Sequence, residues 1–355
     1  MTALKVFITG ATGYIGGEVL YQILNLNHNF DITALVRNQA KSEKLLKSTN
    51  NKVKTAIGAL DDLQLIEKYA QESDIIINTA DVDHVPSAEV LYKALTSKKT
   101  PTYLIHTSGT SILGDSLREG KRPSKKVYSD VKNIAEINSL PLEQPHRPVD
   151  KLILDISEKN PIVNTVVISP SNIFGQSNGY DKIISAQIPL LASLSVKNGQ
   201  AFSVFDGNYI WSRVHIKDLG DLYLLLLDKL LKGENIPKGK QGYYFGSYTV
   251  ENEVNVSEEP VAIEIVWRKV SEKVGQELYK KKLISKEEVA ELKPEQIVKI
   301  PGSIDFAPYL WGTNSRSRGD NGIRVGWKPK YTDSKTYWDS IEEDVDYMEK
   351  NGLLK

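Results

Sequence analysis

Three glycines near the amino terminus, Gly10, Gly13 and Gly16, have a spacing suited to holding phosphate groups. They follow an apolar run at residues 5–9 and lead into a helical pattern that begins at Tyr14. Glycines in a strand–loop–helix unit allow a tight turn and let backbone N–H groups approach a pyrophosphate, whose charge the helix N-terminus stabilises. We therefore predict that this loop binds a dinucleotide. The loop residues assigned to that site are Gly10, Thr12, Gly13, Tyr14, Ile15 and Gly16.

The residue that closes the second apolar run, Arg37, indicates which dinucleotide is bound. An acidic residue about 20 positions after the last glycine is typical of NAD sites, where it accepts hydrogen bonds from the ribose hydroxyls. Here Arg37 stands at that place, followed by Lys41 and Lys44. A guanidinium can pair with a phosphate through two hydrogen bonds and can stack on adenine. Arg37 and Lys41 therefore predict that NADP(H) is preferred over NAD(H).

These side chains need a regular framework, and the apolar pattern predicts one. Six short apolar runs alternate with helical patterns, which is typical of parallel strands buried on both faces. We predict an α/β fold: a Rossmann-type doubly wound parallel sheet over residues 1–175, completed by parts of 200–232, with a smaller C-terminal α+β substrate domain over 176–355. The charged segment 271–299 is expected to form one or two amphipathic surface helices. The six runs are 5–9, 32–36, 53–57, 75–79, 103–107 and 163–168.

Composition excludes several classes of protein. Among 355 residues, 45 Lys and Arg balance 45 Asp and Glu, so no global field would attract nucleic acid or an anionic membrane. The absence of cysteine excludes disulfides, thiolate zinc sites and a cysteine nucleophile. No spacing of His, Asp and Glu predicts a metal site. The apolar run at 6–8 is too short for a signal-peptide core, so we expect a cytoplasmic protein with neither nucleic-acid nor membrane partners.

Motifs spread along the chain show a resemblance to a known superfamily. The sequence resembles the extended or atypical branch of the short-chain dehydrogenase/reductase superfamily, whose members are similar to NAD(P)-dependent epimerases and dehydratases. That branch includes sugar-nucleotide epimerases and dehydratases, carbonyl reductases, and NmrA-like regulators that bind the dinucleotide without turning it over. The segments that carry the resemblance are 9–16, 78–80, 106–109, 169–175, 213–219 and 326–329.

The resemblance implies further contacts. Asp61 lies where relatives contact adenine, although a helix N-cap role explains it equally well. Ser108 and Thr110, after the fifth strand, are the hydroxyls best placed to reach a substrate oxygen. Dimers formed through helices of the first domain are frequent among relatives, so a homodimer is possible. The residues that complete the expected cofactor site, at the carboxyl ends of the fourth and sixth strands, are Thr79, Ala80, Asp81, Pro170, Ser171, Asn172 and Ile173.

The catalytic pair of the superfamily, a tyrosine followed four residues later by a lysine, admits two interpretations here. Tyr128 and Lys132 match that spacing, but prolines at 141, 145 and 148 separate them from the helix that should carry the pair. On that helix the tyrosine position falls near His146 or Arg147, and the lysine position near Asp150 or Lys151. The active site is therefore formed either by Tyr128 and Lys132 or by a substituted set. The substituted set is His146, Arg147 and Lys151.

The function that follows is NADP(H)-dependent oxidation or reduction of the alcohol or carbonyl of a small organic substrate by direct hydride transfer. The alternatives are a non-catalytic NADP(H)-binding regulator and a sugar-nucleotide epimerase or dehydratase. The latter requires cations for a second diphosphate, for which Arg213, Arg316 and Arg318 are candidates. Aromatic residues are expected to cover the nicotinamide: Tyr180, Trp211, Tyr243, Tyr244 and Phe245.

Overall fold

The six apolar runs of the first half form strands of one parallel sheet, which confirms the predicted fold class. The computed structural model describes residues 2–26, 28–117, 126–249 and 263–354. The elements up to residue 174 are, in chain order, β1 (Leu4–Thr9), α1 (Tyr14–Leu24), β2 (Phe30–Val36), α2 (Gln39–Ser48), β3 (Lys54–Ile57), α3 (Leu63–Glu72), β4 (Ile75–Asn78), α4 (Val85–Thr96), β5 (Thr102–Thr107), β6 (Tyr128–Ser129), α5 (Ile134–Asn138), α6 (Arg147–Lys159), β7 (Val163–Pro170) and β8 (Asn172–Phe174).

The second half mixes helices and short strands without regular alternation. Three small sheets form there: β12, β10 and β8 in one, β13 with β9 in another, and β14 with β6 in the third. The elements are α7 (Gln187–Asn198), β9 (Gln200–Val204), β10 (Ile210–His215), α8 (Ile216–Leu231), β11 (Tyr243–Gly246), β12 (Glu264–Val266), α9 (Trp267–Lys280), β13 (Lys286–Leu292), α10 (Pro294–Ile297), α11 (Ala307–Trp311), β14 (Ser317–Arg318), α12 (Asp320–Arg324) and α13 (Ser334–Lys350).

The strand order of the main sheet creates a ligand-binding crevice. The order is β11-β7-β5-β4-β1-β2-β3, and every pair is parallel. The chain runs outward from β1 to β3 and then crosses to β4 on the other side of β1. In open α/β sheets, ligands bind outside the carboxyl ends of the strands at such a reversal. The glycine-rich loop after β1 and the loop after β4 therefore border the same crevice.

Alternate residues of β1 enter two separate hydrophobic cores. Val6 and Ile8 belong to the core that includes Val19 of α1, whereas Phe7 belongs to the opposite core with Ile153 of α6. Successive side chains of a strand point to opposite faces of its sheet, so a strand covered on both faces is apolar throughout. This explains why the runs read as continuous apolar segments.

Two elements from the second half of the chain, α8 and β11, pack with the elements of the first half. Helix α8, which lies within residues 200–232, packs against α1. Strand β11 lies beside β7, with Tyr243 opposite Val167. The sequence boundary at residue 175 assigns that strand to the second domain, but its backbone hydrogen bonds to β7 make it the edge of the main sheet.

The charged segment 271–299 contains one long helix, a strand and a short helix, so the expectation of surface helices alone is wrong. Its first part belongs to α9. Its second part includes β13, in which Ala290 lies opposite Phe202 of β9. Charged residues such as Glu287 and Glu288 are exposed on this strand. Backbone pairing with β9 is a long-range interaction, and it overrides the helical tendency of the local sequence.

The longest helices are α13, with 17 residues, and α8, with 16. Within the described ranges, no helix has both the length and the apolar character needed to cross a bilayer.

Candidate cofactor and active site

The glycine-rich loop packs so closely on the end of β4 that side chains are excluded. Gly10 has a φ of +74°, and a Cβ there would lie 2.5 Å from the carbonyl oxygen of Thr79. A Cβ on Gly16 would lie 2.3 Å from both the carbonyl oxygen of Gly10 and Oγ1 of Thr79. Gly13 turns back to donate its backbone N–H to Gly10 at 2.8 Å. The result is a bare backbone corner at the N-terminus of α1, as binding of a pyrophosphate requires.

A cleft of about 580 Å³ runs from this corner to the end of β2, and we call it the dinucleotide cleft. It contains most of the residues that the sequence assigns to the first part of the cofactor. Its outer wall is formed by Leu35, Val36 and residues 58–60. The predicted residues that line it are Gly10, Thr12, Gly13, Arg37, Lys41, Thr79, Ala80 and Asp81.

The carboxylate of Asp181, from the second half of the chain, forms ion pairs with the two lysines near Arg37. Asp181 contacts both Lys41 and Lys44, and it lines the cleft together with Arg37. Burial opposes ionisation of this carboxyl, but the two lysine hydrogen bonds outweigh it and lower the pKa of Asp181. The next residue, Lys182, donates its backbone N–H to the Thr12 carbonyl at 3.3 Å. No sequence signal marked Asp181, because only the fold brings it to α2.

Asp61 lies outside the dinucleotide cleft. Asp61 lines a neighbouring surface depression instead of the cleft, and its carboxylate contacts Nε2 of His84 at 3.0 Å. The N-cap of α3 is the next residue, Asp62. Its carboxylate accepts the Ala59 N–H at 2.9 Å and closes the turn. That turn directs Ala59 and Leu60 into the cleft and Asp61 away from it.

A second cavity, of about 280 Å³, adjoins the dinucleotide cleft and shares Thr79 with it. We call it the inner cavity. None of the described residues that line it is charged. Oγ1 of Thr110 is buried there and has no hydrogen-bond partner in the described part of the chain. The lining residues are Tyr14, Ile15, Thr79, Ser108, Gly109, Thr110, Ser111, Pro170, Ser171, Ile173, Ala186, Gln187, Trp211 and Leu310.

Seven further predicted site residues line the inner cavity: Tyr14, Ile15, Ser108, Thr110, Pro170, Ser171 and Ile173. Asn172 does not line it, but its buried amide donates to the side chain of Gln187, which does, at 2.8 Å. Tyr14 reaches across to the Gly175 carbonyl, and burial raises the pKa of its hydroxyl. Gln187 and Ser111 were not predicted, although Ser111 adjoins the predicted Thr110 and could have been found from that neighbourhood.

Tyr128 and Lys132 do not form a helical pair. Tyr128 lies in β6, where its N–H bonds to the Arg316 carbonyl at 2.9 Å. Lys132 is exposed in the following turn. Burial raises the pKa of the Tyr128 hydroxyl. Neither residue lines the dinucleotide cleft or the inner cavity.

The substituted set divides among three environments. Arg147 is buried and supports the preceding loop through the carbonyls of Leu140 and Asn138. Lys151 is exposed. His146 is buried beside the inner cavity, where a Cβ on Gly109 would lie 2.9 Å from its Nε2. Of these three residues, only His146 is directed toward the cavity.

His146 joins two residues of other loops. Its Nδ1 lies 2.8 Å from Oδ1 of Asp83, and its Nε2 contacts Oγ of Ser111. Burial opposes ionisation of Asp83, but the hydrogen bonds from His146 outweigh it and hold the pKa of that carboxyl below its usual value. Asp83 follows β4, Ser111 follows β5, and His146 precedes β7. These three strands are neighbours in the sheet, which explains how distant segments meet.

Asp150, one of the two candidates for the lysine position of the superfamily, lies in the first turn of α6, four residues after His146. Burial raises its pKa to about 6, although hydrogen bonds from Ser108 and Tyr243 oppose the shift. His106 lies on its other side, with Nε2 3.8 Å from Oδ1. Burial lowers the pKa of His106 to about 3, so the ring is neutral near pH 7.

The arginines considered for a second diphosphate are engaged elsewhere. Arg213 donates to the carbonyls at 332 and 333. Arg316 forms a bidentate pair with buried Glu264, at 2.8 Å for both contacts. Arg318 pairs with Asp320 at 3.2 Å. These arginines do not line the inner cavity.

Of the five aromatic residues expected to cover the nicotinamide, one lines the inner cavity. Trp211 lines the inner cavity and donates its indole N–H to the Thr313 carbonyl at 2.7 Å. Tyr180 packs near Tyr21 on α1, with ring centroids 6.4 Å apart. Residues 243–245 belong to β11 and are buried in the edge of the main sheet, which corrects their assignment to the cover.

No cluster of three or more His, Asp or Glu side chains that could hold a metal ion occurs in the ranges the structure describes.

Comparison with known proteins gives consistent results. The model of the NAD dependent epimerase/dehydratase family matches residues 6–237. The chain is 31% identical over 340 residues to the oxidase ucsJ of an Acremonium species, covering 92% of each chain. It is 24% identical to a UDP-glucose 4-epimerase of Pasteurella multocida, covering 64% of this chain and 74% of the epimerase. Its fold is similar to that of the Bacillus anthracis dTDP-glucose 4,6-dehydratase solved with NAD, with TM-score 0.63, 17% identity, and coverage of 99% of this chain and 100% of the other.

Proposed function

The chain belongs to the NAD-dependent epimerase/dehydratase family, within the extended short-chain dehydrogenase/reductase superfamily, and we propose that it is an NADP(H)-dependent oxidoreductase. Its substrate is a small uncharged organic molecule whose carbonyl and alcohol forms it interconverts. The observation that carries this proposal is the junction at Thr79, where the dinucleotide cleft meets an uncharged cavity lined by hydroxyl groups. This adjacency supports binding of a cofactor and a carbonyl compound side by side.

The residues of the cleft fit a nicotinamide dinucleotide. The bare corner formed by Gly10, Gly13 and Gly16 accommodates a pyrophosphate, because any Cβ at the first or third glycine would collide with backbone. Arg37 is exposed at the carboxyl end of β2, and no carboxylate of the described residues is paired with it. A guanidinium at this place favours a 2′-phosphate, and Lys41 adds a second cation once Asp181 releases it.

When bound, the nicotinamide supplies or accepts a hydride. The protein must hold the substrate carbon near it and supply a proton to the oxygen. The hydroxyls of Ser108, Thr110 and Ser111 lie on one side of the inner cavity, and Trp211 and Leu310 provide apolar surface. This arrangement favours a substrate with one polar oxygen and an apolar body. The unpartnered hydroxyl of Thr110 is available to that oxygen.

The sugar-nucleotide alternative is supported by relatives that carry epimerase and dehydratase names. It is disfavoured by the electrostatics of the inner cavity. A second diphosphate carries several negative charges, and burying them against uncharged groups costs much more than burying a neutral carbonyl compound. The three arginines considered for this role are already paired with carboxylates or backbone carbonyls.

The experiment is a turnover assay of the full chain with NADPH and with NADH. The substrate panel contains uncharged aromatic and aliphatic aldehydes and ketones, carboxylated analogues of the same compounds, and UDP-glucose. We expect NADPH consumption with uncharged carbonyl compounds and at least about tenfold lower kcat/KM with their carboxylated analogues. Tight NADPH binding without consumption on any compound would instead support the regulator. Conversion of UDP-glucose without net cofactor loss would support the epimerase.

A further inference from the structure

We propose that Ser111, His146 and Asp83 form a proton relay for the inner cavity, in which Ser111 is the catalytic residue that exchanges a proton with the substrate oxygen. This inference rests on the proposed oxidoreductase function, since the oxygen in question is that of the carbonyl or alcohol. The relay replaces the tyrosine and lysine that the superfamily resemblance leads one to expect on α6.

The three groups form a continuous line from the cavity to the surface. Ser111 lines the inner cavity, and its Oγ contacts Nε2 of His146. Nδ1 of His146 lies 2.8 Å from Oδ1 of Asp83. The His146 side chain is only 9% exposed, whereas that of Asp83 is 58% exposed. One buried imidazole therefore links a hydroxyl residue of the cavity to a carboxylate at the surface.

The carboxylate determines which ring nitrogen carries the proton. Asp83 can only accept hydrogen bonds when ionised, so Nδ1 of His146 must donate to it. In the neutral ring, Nε2 is then the acceptor that faces the Ser111 hydroxyl. A carboxylate in this position also stabilises the imidazolium that forms when Nε2 takes a proton. The neutral ring is thus a base toward Ser111, and the imidazolium is an acid toward it.

The proton balance follows in both directions. In reduction, the carbonyl carbon gains a hydride from a dihydronicotinamide and the oxygen gains the Ser111 proton. Ser111 Oγ takes the Nε2 proton of the imidazolium, and His146 becomes neutral. Because Nδ1 keeps its proton toward Asp83, the ring then regains a proton at Nε2, from solvent that enters the cavity when the product leaves. In oxidation, the alcohol carbon gives a hydride to an oxidised nicotinamide, its oxygen gives its proton to Ser111, and Ser111 gives its own to Nε2.

The backbone of His146 is held in an unusual conformation that keeps the ring in this line. Its φ is +67°, a left-handed value that is uncommon for residues other than glycine. Oδ1 of Asp83 also accepts the His146 backbone N–H at 3.1 Å, so one carboxylate oxygen fixes both the ring and the main chain. Such backbone conformations persist when surrounding contacts over-determine them, and they are frequent at functional sites. Asp83 is the positioning residue of the relay.

Hydrogen bonds also hold the turn that carries Ser111. The Ser111 carbonyl accepts the Tyr309 hydroxyl at 3.1 Å and the Gly114 N–H at 2.9 Å. Both bonds hold the short turn that carries Ser111, so its hydroxyl keeps its position between the ring and the cavity. A serine that served only to satisfy a buried histidine would not need to line the cavity.

The first test uses His146→Gly in the full chain. Glycine accepts a φ of +67° without strain, so the variant keeps the backbone while removing the ring. On the best carbonyl substrate of the panel, we expect kcat to fall at least about 100-fold, with KM changed by less than about threefold. Added imidazole is expected to restore at least about tenfold of the lost kcat. His28→Gly, which removes an exposed histidine, is the matched control. Its kcat should match that of the wild type, with or without added imidazole.

The second test needs no turnover. Nitrogen-15 NMR of the imidazole groups, with the His146 signals identified by their loss in His146→Gly, reports the protonated ring nitrogen. We expect Nδ1–H in the wild type, a mixture of tautomers in Asp83→Asn, and a shifted Nε2 signal in Ser111→Ala. An Nε2–H tautomer in the wild type overturns the relay, as does a fall in kcat that imidazole does not restore. If the wild type consumes no NADPH with any compound, the oxidoreductase proposal fails, and the relay is then judged on the tautomer alone.

Discussion

Oγ of Ser108 donates a hydrogen bond of 2.7 Å to Oδ2 of Asp150, which stands four residues after His146 on α6. An acid therefore occupies one of the two positions, Asp150 and Lys151, at which the resemblance predicts a lysine. The carboxyl is completely buried, and burial raises its pKa to about 6. Ser108 of the inner cavity is consequently hydrogen-bonded to a buried carboxyl whose pKa lies not far below neutral pH. The groups that face it are Ser108, Tyr243, His106, His146 and Arg147.

Replacing this carboxyl tests its effect on stability. The folded-state pKa of Asp150 lies above the usual aspartate value of about 3.9, so folding favours the protonated form. Its stabilising contribution is complete below pH 4 and is lost as the pH rises through about 6. Asp150→Asn should therefore gain stability relative to the wild type between pH 4.5 and pH 7.5, by up to about 3 kcal/mol. Urea unfolding of both proteins at the two pH values measures this difference. A constant difference would contradict the assignment.

Arg37→Asp tests the choice of cofactor. Removing the guanidinium and adding a carboxylate should lower affinity for NADPH relative to NADH by about 1–3 kcal/mol, because a charge-assisted contact to the 2′-phosphate is lost. Dissociation constants for both cofactors, measured by fluorescence titration, give the ratio. Arg324→Asp makes the same charge reversal at another exposed arginine and should leave the ratio unchanged. Equal affinities in the wild type would count against a phosphate site at Arg37.

Asp181→Asn tests whether that carboxylate competes with a phosphate for Lys41 and Lys44. Without its charge, both lysines are available to the 2′-phosphate, so NADPH affinity should rise by about three- to tenfold while NADH affinity changes little. The effect should diminish at high salt. Asp31→Asn, which breaks the exposed ion pair with Lys54, is the control. A parallel change for both cofactors would show that Asp181 affects the shape of the cleft and not its charge.

Tyr128→Phe distinguishes the two catalytic sets suggested by the sequence. Since Tyr128 lies in β6 and lines neither cavity, loss of its hydroxyl should change kcat by less than about threefold. The measurement is the same carbonyl turnover assay, with His146→Gly alongside. A fall of about 100-fold or more in Tyr128→Phe would restore the tyrosine as the proton donor.

The sheet could be predicted from the sequence because its signals are local. Each strand is a short apolar run with clear ends, and the glycine loop follows β1 directly. The relay could not be predicted in the same way. Asp83 and Ser111 lie 63 and 35 residues from His146, and they meet only because β4, β5 and β7 are adjacent in the sheet. Strand β13 was not predicted for a similar reason, since its partner β9 lies far away in the chain.

The substitution on α6 was only partly accessible from the sequence. The prolines at 141, 145 and 148 indicated that Tyr128 is separated from the helix that precedes β7. Helix α5 indeed ends before Pro141. Which side chains of α6 face the cavity depends on where the helix begins. Only the left-handed conformation of His146 directs its ring toward Ser111 while Lys151 remains exposed.

The most direct test of the whole account is calorimetric titration of the full chain with NADP⁺, NADPH, NAD⁺ and NADH, repeated with Gly13→Ala. A Cβ on Gly13 would lie 3.0 Å from the Gly10 carbonyl, so the loop can keep its fold, but the methyl group would enter the dinucleotide cleft. We expect saturable heat at submillimolar NADPH, weaker binding of NADH, and a loss of both in the variant with an unchanged melting temperature. No heat from any of the four ligands at millimolar concentration would contradict the account.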